Sequence, residues 1–293
     1  MIDGKTKVCG VYGNPVEHTK SPAIHNTLAK IRNINLVYVP LPVARDKVGD
    51  AVRGTFAMGM LGVNVTVPFK TEVLPYLVDI DPLAQRIGAV NTLVRRENGF
   101  KGYNTDMPGL YRAMASDGVY VEDEHVIILG AGGVARAVAV LLAEKNVREI
   151  IILNRTLERA QAIAGEVNEM AGRQLAVAMS LADIHKLPDR KYLVIQATSV
   201  GMHPNDGEAL IMDQDFYRKV HTGYDLVYKP AETVFMKMVK AQGGRAFNGL
   251  KMLLYQGVIA FELWNDITVT QEEAEQIHQV LLDLDRAEKG CKS

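Results

Sequence analysis

An apolar run that leads into a glycine-rich turn limits this chain to a few folds. The run at residues 125–129 is followed by Gly130-Ala131-Gly132-Gly133 and then by an alanine-rich helical pattern. Gly130 permits a tight turn, Gly132 lets phosphate groups approach the backbone, and the small Ala135 lets the helix pack closely on a sheet. The start of a helix also attracts anions. The segment therefore predicts a dinucleotide-binding unit within a parallel sheet.

Apolar runs and helical patterns alternate through most of the 293 residues, which is typical of α/β proteins and corresponds to about two domains. Strands are predicted at 7–12, 36–39, 62–66, 89–94, 102–104, 125–129, 149–153, 175–178, 192–197, 223–226 and 245–247. The chain is helical after Gly249, at 250–264 and 271–286. We predict an α/β substrate domain with a mixed sheet at residues 1–106 and 249–293. A Rossmann-like nucleotide-binding domain is predicted at 107–248, with the C-terminal helices returning to the first domain.

Composition excludes several classes of protein. The chain has 33 Lys and Arg against 34 Asp and Glu, and no basic run that would serve a nucleic-acid partner. The cysteines Cys9 and Cys291 cannot form a disulfide framework, and the seven histidines have no metal-ligand spacing, so we predict no metal. No signal peptide or membrane span is recognisable. These features predict a cytoplasmic protein that binds neither nucleic acid nor a membrane.

The end of the strand at 149–153 carries basic and hydroxyl side chains. Asn154, Arg155 and Thr156 stand where an NAD-selective fold usually places an Asp or Glu for the ribose hydroxyls. Arg155 and Thr156, together with Arg159, offer charge-assisted hydrogen bonds to a 2′-phosphate. We therefore predict NADP rather than NAD. The alternative is that Arg155 is a solvated strand-end residue and Thr156 the N-cap of the next helix.

Polar residues at the strand ends of the first domain offer groups for proton transfer. Nicotinamide chemistry needs a proton donor or acceptor on the oxygen that changes between alcohol and ketone. Lys70 follows a strand that stops at Pro68, where we expect a helix to begin, and a helix N-terminus disfavours an ammonium group. Asn91 and Asp106 are expected to close the next two strands. Taken alone, Lys70 could equally be a solvated helix residue and Asp106 an N-cap.

The loop at residues 13–22 leads from the first strand into the first helix. Ser21 is predicted to be the N-cap of that helix, with Pro22 at its first position. The hydroxyls of Thr19 and Ser21 could also bind a small anion at the helix N-terminus. Both roles are compatible, because a cap and a ligand contact use different lone pairs.

Together these segments resemble the shikimate dehydrogenase family. The motifs stand in the family's order along nearly the whole chain, at residues 13–22, 64–70, 88–92, 104–106, 130–133, 154–156 and 249–257. The resemblance implies reversible, NADPH-dependent reduction of 3-dehydroshikimate to shikimate in the chorismate and aromatic amino-acid pathway. The Asn-Arg-Thr ending at 154–156 resembles the NADP-using branch.

The resemblance also implies roles for individual residues. Lys70 and Asp106 match the catalytic proton-transfer pair. The implied substrate contacts are Thr19, Ser21, Thr66, Asn91, Asp106, Tyr228 and Gln256. The implied cofactor contacts are Gly130, Ala131, Gly132, Gly133, Val134, Asn154, Arg155, Thr156, Arg159, Leu226 and Gly249. The substrate carboxylate is expected near Thr19 and Ser21, and the ring hydroxyls near Asn91 and Asp106.

Alternatives stay open at this point. Many family members have Ser where this chain has Thr19, and relatives that oxidise quinate vary in the same region, so a quinate/shikimate dehydrogenase with broader substrate or cofactor use is one alternative. A non-catalytic shikimate-sensing module is another, which the retention of Lys70 and Asp106 disfavours. A third is an unrelated Rossmann dehydrogenase, such as one acting on folates. The protein is expected to be a monomer or a homodimer, with domains that close during hydride transfer.

Overall fold

The computed structural model describes residues 2–290, with side chains up to Ala287, and the chain forms two compact units. The first unit holds the described residues up to Gly109 together with those from Leu253 onward, and the second unit is Leu110–Met252. Cys291 lies outside the described residues. Within the part of the chain that is described, every helix is too short or too polar to cross a membrane.

The first unit is built on a six-stranded mixed sheet in the order β2-β1-β3-β5-β6-β4. Its strands are β1 (Lys7–Gly13), β2 (Leu36–Pro42), β3 (Gly62–Val65), β4 (Asp79–Ile80), β5 (Thr92–Arg96) and β6 (Gly99–Tyr103). The helices of this part are α1 (Ser21–Ile31), α2 (Val48–Ala57), α3 (Pro82–Ile87) and α4 (Asp106–Ser116), of which α4 continues into the second unit. β1 pairs in parallel with β2 and β3, whereas β5 runs antiparallel to both β3 and β6.

The second unit contains a six-stranded parallel sheet in the order β12-β11-β10-β7-β8-β9. Its strands are β7 (His125–Leu129), β8 (Glu149–Asn154), β9 (Ala176–Ser180), β10 (Tyr192–Gln196), β11 (Val220–Asp225) and β12 (Arg245–Phe247), and its helices are α5 (Gly133–Ala143), α6 (Leu157–Ala171), α7 (Gln214–Tyr217) and α8 (Val234–Ala241). This order is that of a Rossmann fold, in which the direction of winding reverses between β7 and β10. The predicted α/β fold class is confirmed.

Two helices complete the chain, α9 (Leu250–Asn265) and α10 (Gln271–Gly290). The indole nitrogen of Trp264 on α9 donates to the Leu93 carbonyl at 2.9 Å, and the missing side chain of Gly62 makes room for the indole ring. On α10, Glu273 accepts from the Arg32 guanidinium at 2.7 Å. These contacts attach α9 and α10 to the sheet and to the end of α1.

Three local predictions near the candidate site are wrong. Ser21 is the first residue of α1 rather than its N-cap, which is Lys20. Lys70 lies in a run of turns that continues into a short 3-10 helix at Leu74–Tyr76, so it does not stand at the start of an α-helix. Asn91 stands before β5 instead of closing a strand, because β5 runs antiparallel to its neighbours and starts at this edge.

Among the strands and α-helices of residues 2–290, four have no counterpart in the sequence prediction: β4, α3, α4 and α7. β4 and α7 have two and four residues, too few to establish a period. α3 and α4 follow directly on strand ends, and α3 is capped by Asp81, whose side chain accepts from the backbone N–H groups of Leu83 and Ala84. Capping bonds of this kind begin a helix where apolar periodicity is weak.

Candidate active site

Polar residues gather at one edge of the mixed sheet in the first unit. β1, β3 and β6 run in the same direction and end at this edge, while the antiparallel β5 begins there. The chain therefore places Thr66 directly after β3, Asn91 directly before β5, and Asp106 three residues after the end of β6. Strand direction alone brings together residues that lie up to 40 positions apart in the sequence.

Lys70 and Asp106 form an ion pair at this edge, with 2.6 Å between Nζ and Oδ2. The side chains are 33% and 20% exposed, so the pair is partly shielded but open to a ligand. Hydrogen bonds at the backbone groups of both residues hold them in place: the Lys70 carbonyl accepts from the Val90 N–H at 2.9 Å, and the Asp106 N–H donates to the side-chain Oδ1 of Asn104 at 3.1 Å. The predicted proton-transfer residues are thus in contact within one unit.

The hydroxyls of Thr19 and Ser21 lie together at the start of α1. Thr19 Oγ1 donates to Ser21 Oγ at 3.2 Å, and the Ser21 N–H donates to Thr19 Oγ1 at 3.3 Å. The N-cap Lys20 makes no side-chain capping bond, and the two contacts between Thr19 and Ser21 are longer than typical hydrogen bonds. Both hydroxyls can therefore rotate toward an anion near this N-terminus, where the helix dipole favours negative charge.

The Asn91 amide is held in one orientation. Its Oδ1 accepts from the Thr105 N–H at 2.8 Å and from the Thr92 hydroxyl at 3.0 Å. A backbone N–H can only donate, so the atom that faces Thr105 is the oxygen. The Nδ2 group has no hydrogen-bond partner among the described residues. Asn91 therefore presents donors, and it can hold a ligand hydroxyl or carbonyl oxygen.

Thr66 and Gln256 reach the same region through close backbone contacts at glycines. A Cβ on Gly13 would lie 2.8 Å from the methyl group of Thr66, so the end of β1 needs glycine to accommodate Thr66. A Cβ on Gly109 would lie 2.7 Å from the backbone nitrogen of Gln256. Gly109 is one helical turn after Asp106, which places Gln256 on the face of α4 that carries Asp106. Gln256 Nε2 donates to the Leu253 carbonyl at 2.8 Å.

In the second unit, the glycine turn follows the first strand of the Rossmann order. Gly130 has φ of +107°, which favours glycine, and a Cβ there would lie 2.7 Å from Thr198. α5 begins at Gly133, and Gly132 is its N-cap. A Cβ added to Gly132 or Gly133 would meet nothing within 4 Å, so open space adjoins this helix N-terminus. The turn fits a pyrophosphate, for which Ala131 and the exposed Val134 complete the predicted contacts.

The basic residues after β8 are available for a ligand. Arg155 and Arg159 are exposed and make no hydrogen bond or ion pair with any described residue. Thr156 is the N-cap of α6, but its side chain makes no capping bond, so its hydroxyl is also available. Asn154 Nδ2 donates to the Thr156 carbonyl at 2.8 Å and shapes this turn. The donor set fits a 2′-phosphate.

The predicted contacts after β11 lie on a backbone that is closely packed. The Leu226 N–H donates to the Gln196 carbonyl at 3.0 Å, and the Gly249 N–H donates to the Val227 carbonyl at 3.1 Å. A side chain on Gly249 would collide with the Leu226 carbonyl. Tyr228 is half-buried and belongs to this unit, so the structure does not group it with the substrate contacts of the first unit.

Sequence reasoning missed the buried polar residues that support both regions. Asn64, Thr92 and Thr105 are buried beneath the edge that carries Asn91. Asn64 had a detectable signal, because it interrupts an apolar strand two residues before Thr66 and so shares its face. In the second unit Asp225 is fully buried at the end of β11, where it accepts from Thr233 at 2.6 Å and from the Val227 N–H at 2.9 Å. Burial raises the pKa of Asp225 to about 6.

Three segments of the chain match known protein families. Residues 11–93 match the shikimate dehydrogenase substrate binding domain, residues 113–205 match shikimate / quinate 5-dehydrogenase, and residues 249–277 match the shikimate 5′-dehydrogenase C-terminal domain. A shikimate dehydrogenase (NADP(+)) from Desulforamulus reducens is 42% identical over 269 residues, covering 91% of this chain and 92% of the relative. One from Methanocaldococcus jannaschii is 40% identical over 267 residues, covering 91% and 94%.

Solved structures are similar over nearly the whole chain. A shikimate dehydrogenase in complex with NADP⁺ has a TM-score of 0.84 and 38% identity, covering 95% of this chain and 96% of its own. A shikimate 5-dehydrogenase from Listeria monocytogenes, in complex with shikimate and NAD, has a TM-score of 0.87 and 32% identity, covering 96% and 98%. A quinate dehydrogenase from Corynebacterium glutamicum in complex with NAD has a TM-score of 0.84 and 27% identity, covering 95% and 99%.

Proposed function

The chain belongs to the shikimate dehydrogenase family, and on that premise we propose that it catalyses the reversible, NADP-dependent reduction of 3-dehydroshikimate to shikimate. The observation that carries the proposal is the Lys70–Asp106 ion pair at 2.6 Å, at the sheet edge where β6 ends and where Asn91 precedes β5. The hydroxyls of Thr19 and Ser21 belong to the same unit and lie at the start of α1. A sensing module would need the anion-binding hydroxyls but not a partly shielded proton-transfer pair. The proposed enzyme acts in the shikimate pathway, which leads to chorismate.

The proposed chemistry divides between the cofactor and the chain's own residues. NADPH supplies the hydride when bound. Lys70 donates a proton to the C3 oxygen during reduction and accepts it during oxidation, through the ammonium N–H groups that do not contact Asp106. The Asp106 carboxylate holds Nζ in position and stabilises its positive charge. This assignment makes Lys70 the proton carrier and Asp106 its partner.

Substrate binding is proposed to use groups of matching chemistry. The hydroxyls of Thr19 and Ser21 bind the carboxylate, which the N-terminus of α1 also favours. Asn91 donates to a ring oxygen, and the carboxylate of Asp106 accepts from a ring hydroxyl. Thr66 and Gln256 complete the substrate contacts in the first unit, and a role for Tyr228 stays a prediction.

NADP selectivity is proposed to depend on Arg155, with Thr156 and Arg159. Their side chains are free to bind the 2′-phosphate, and no carboxylate stands at this strand end to bind the ribose hydroxyls of NAD instead. The glycine turn at 130–133 is proposed to bind the pyrophosphate. Location in the cytoplasm and assembly as a monomer or homodimer stay predictions.

Broader use of quinate is the second candidate, and Thr19 is the observation that favours it. The methyl group of Thr19 alters the space beside Ser21, where the substrate carboxylate is proposed to bind. One matching family is described as shikimate / quinate 5-dehydrogenase, and a similar structure is a quinate dehydrogenase.

Initial rates of nicotinamide reduction test the proposal, with shikimate or quinate combined with NADP⁺ or NAD⁺. We expect turnover with shikimate and NADP⁺, and a loss of at least about a hundredfold in kcat for Lys70→Ala, because general acid–base catalysis contributes roughly 10²–10⁴-fold. Lys101→Ala is the matched control, since Lys101 pairs with Asp79 at 2.8 Å elsewhere in the same unit.

Each other outcome changes the assignment. Comparable rates with quinate or NAD⁺ would move the protein to the broader branch. Binding of shikimate without turnover would favour the sensing module. Equal activity of the two lysine variants would remove Lys70 from the mechanism.

A further inference from the structure

A buried tyrosine hydroxyl is hydrogen-bonded to the network beneath the proposed substrate site. Tyr38 lies on β2, its side chain is 1% exposed, and its hydroxyl donates to Asn64 Oδ1 on β3 at 2.8 Å. Because β1 lies between β2 and β3 in the sheet, the ring reaches across β1 to make this bond. No proposed substrate contact includes Tyr38.

Backbone groups fix which end of each amide is nitrogen. The Asn64 side chain contacts the Asn91 carbonyl at 3.2 Å, and a carbonyl can only accept, so the contacting atom is Nδ2. Asn64 Oδ1 therefore faces Tyr38, and the Tyr38 hydroxyl must be the donor. The same argument, from the Thr105 N–H, fixes Oδ1 of Asn91.

The bonds then run in one direction. Tyr38 donates to Asn64, Asn64 Nδ2 donates to Thr92 Oγ1 at 2.9 Å, and Thr92 Oγ1 donates to Asn91 Oδ1 at 3.0 Å. The Thr92 hydroxyl also lies 3.2 Å from the Thr105 hydroxyl, which in turn reaches Asn91 Oδ1 at 3.2 Å. Both routes therefore end on the oxygen of the Asn91 amide, whose nitrogen has no hydrogen-bond partner among the described residues. Resting on the function proposed above, we propose that Tyr38 is a positioning residue for substrate binding. It acts through Asn64 and Thr92 to hold the Asn91 amide in the orientation that the Thr105 N–H sets, with the Asn91 N–H groups toward the ligand.

The surroundings of Tyr38 hold its hydroxyl in place as a donor. Its ring stacks on the buried His25 with 4.1 Å between centroids, and its backbone N–H donates to Asn26 at 2.8 Å. Burial raises the pKa of Tyr38 well above the ordinary value, an effect that the neighbouring Ser21 hydroxyl opposes, so the hydroxyl keeps its proton. Through Ser21 the same hydroxyl also adjoins the proposed carboxylate site.

Tyr38→Phe tests this proposal, because it removes one hydroxyl and keeps the ring. Tyr12→Phe is the matched control: Tyr12 is equally buried in the same unit, and its hydroxyl contacts the Ala51 carbonyl at 3.0 Å and Thr55, neither of which is a proposed site residue. We expect Tyr38→Phe to raise KM for shikimate about tenfold relative to Tyr12→Phe, with KM for NADP⁺ and the melting temperature equal in the two variants. A second pair of variants should show the same difference in KM for shikimate: Thr92→Val removes a hydroxyl of the Tyr38 network, and Thr55→Val removes the hydroxyl that contacts Tyr12.

A double-mutant cycle with Asn91→Ala tests the route. If Tyr38 acts through Asn91, Tyr38→Phe should change KM for shikimate by less than about twofold once Asn91 is alanine. An additive effect would overturn the proposal, as would equal KM values for Tyr38→Phe and Tyr12→Phe, or a parallel rise in KM for both substrates. A wild-type protein that does not turn over shikimate would overturn the proposed function first, and would do so before any variant is made.

Discussion

At the scale of single residues, the groups that suggest a binding role are polar side-chain groups without a hydrogen-bond or ion-pair partner among the described residues. Arg155 is exposed without a partner among the described residues, and the Asn91 nitrogen has none, although the oxygen of the same amide accepts bonds from Thr105 and Thr92. A residue type in the sequence does not reveal this, because Asn and Arg are also common caps and surface groups.

Arg155→Gln should weaken the binding of NADP⁺ without affecting the binding of NAD⁺. The substitution removes a charge-assisted bond to the proposed 2′-phosphate, and a bond to a charged group contributes about 1.5–3 kcal/mol, so KM for NADP⁺ should rise at least about tenfold. Steady-state kinetics with both cofactors measure this. Arg218→Gln is the control, since Arg218 is an exposed arginine of the same unit whose side chain pairs with the nearby Asp215 at 2.8 Å. A similar change in both variants would contradict the assignment.

At the scale of secondary-structure elements, the C-terminal helix α10 supports the loop of the proposed carboxylate site. Lys20, between Thr19 and Ser21, forms an ion pair with Asp285 on α10, and the two side chains are 7% and 22% exposed. Removing one partner from a shielded ion pair lowers the stability of the folded protein. An element that lies 265 positions further along the chain therefore helps to fix the start of α1.

Asp285→Asn should destabilise the protein by about 1–3 kcal/mol and raise KM for shikimate more than KM for NADP⁺, because it removes the ion pair between Asp285 and the nearly buried Lys20, which stands between Thr19 and Ser21. Asp283→Asn on the same helix is the control, since Asp283 pairs with the exposed Arg286 and exposed ion pairs contribute little. Denaturant unfolding and steady-state kinetics of both variants measure the difference. Indistinguishable variants would show that α10 does not support this loop.

At the scale of the whole molecule, the buried Asp225 makes stability depend on pH. The folded pKa, raised by burial to about 6, exceeds the ordinary value of 3.8, so the folded state binds a proton more tightly than the unfolded state does. The contribution of Asp225 to the stability of the folded state is therefore fully present below the unfolded pKa, and it is lost as the pH rises from about 4 through about 6.

As the pH rises through this range, the free energy of unfolding of the wild-type protein should therefore fall by up to about 3 kcal/mol relative to that of Asp225→Asn. One pKa unit corresponds to about 1.4 kcal/mol. Urea unfolding of both proteins between about pH 4 and 8 measures the difference. Asp213→Asn, which removes an exposed carboxylate of the same unit, should follow the wild-type curve. A constant difference between wild type and Asp225→Asn would contradict the assignment of the raised pKa to Asp225.

The glycine turn, the strand–helix alternation and the separate helical end of the chain are local patterns, so the sequence predicted the fold class and the strands β7 and β12 to the residue. Lys70, Asp106, Thr19, Ser21 and Asn91 were predicted site residues. The structure pairs Lys70 with Asp106 and Thr19 with Ser21, and a shared role in binding stays a prediction. Their roles rested on the resemblance to a family, because each residue type alone had an equally good structural explanation.

Only the tertiary structure decided how those residues are arranged. The antiparallel direction of β5 places Asn91 at the edge where β3 and β6 end, and no local pattern records the direction of a strand. The orientation of the Asn91 amide depends on hydrogen bonds from Thr105, Thr92 and, through Asn64, Tyr38, which come from four different segments of the chain. Periodicity reports contacts between near neighbours in sequence, whereas buried polar groups take partners wherever packing brings them, so the sequence determined the elements and the packing determined the chemistry of their ends.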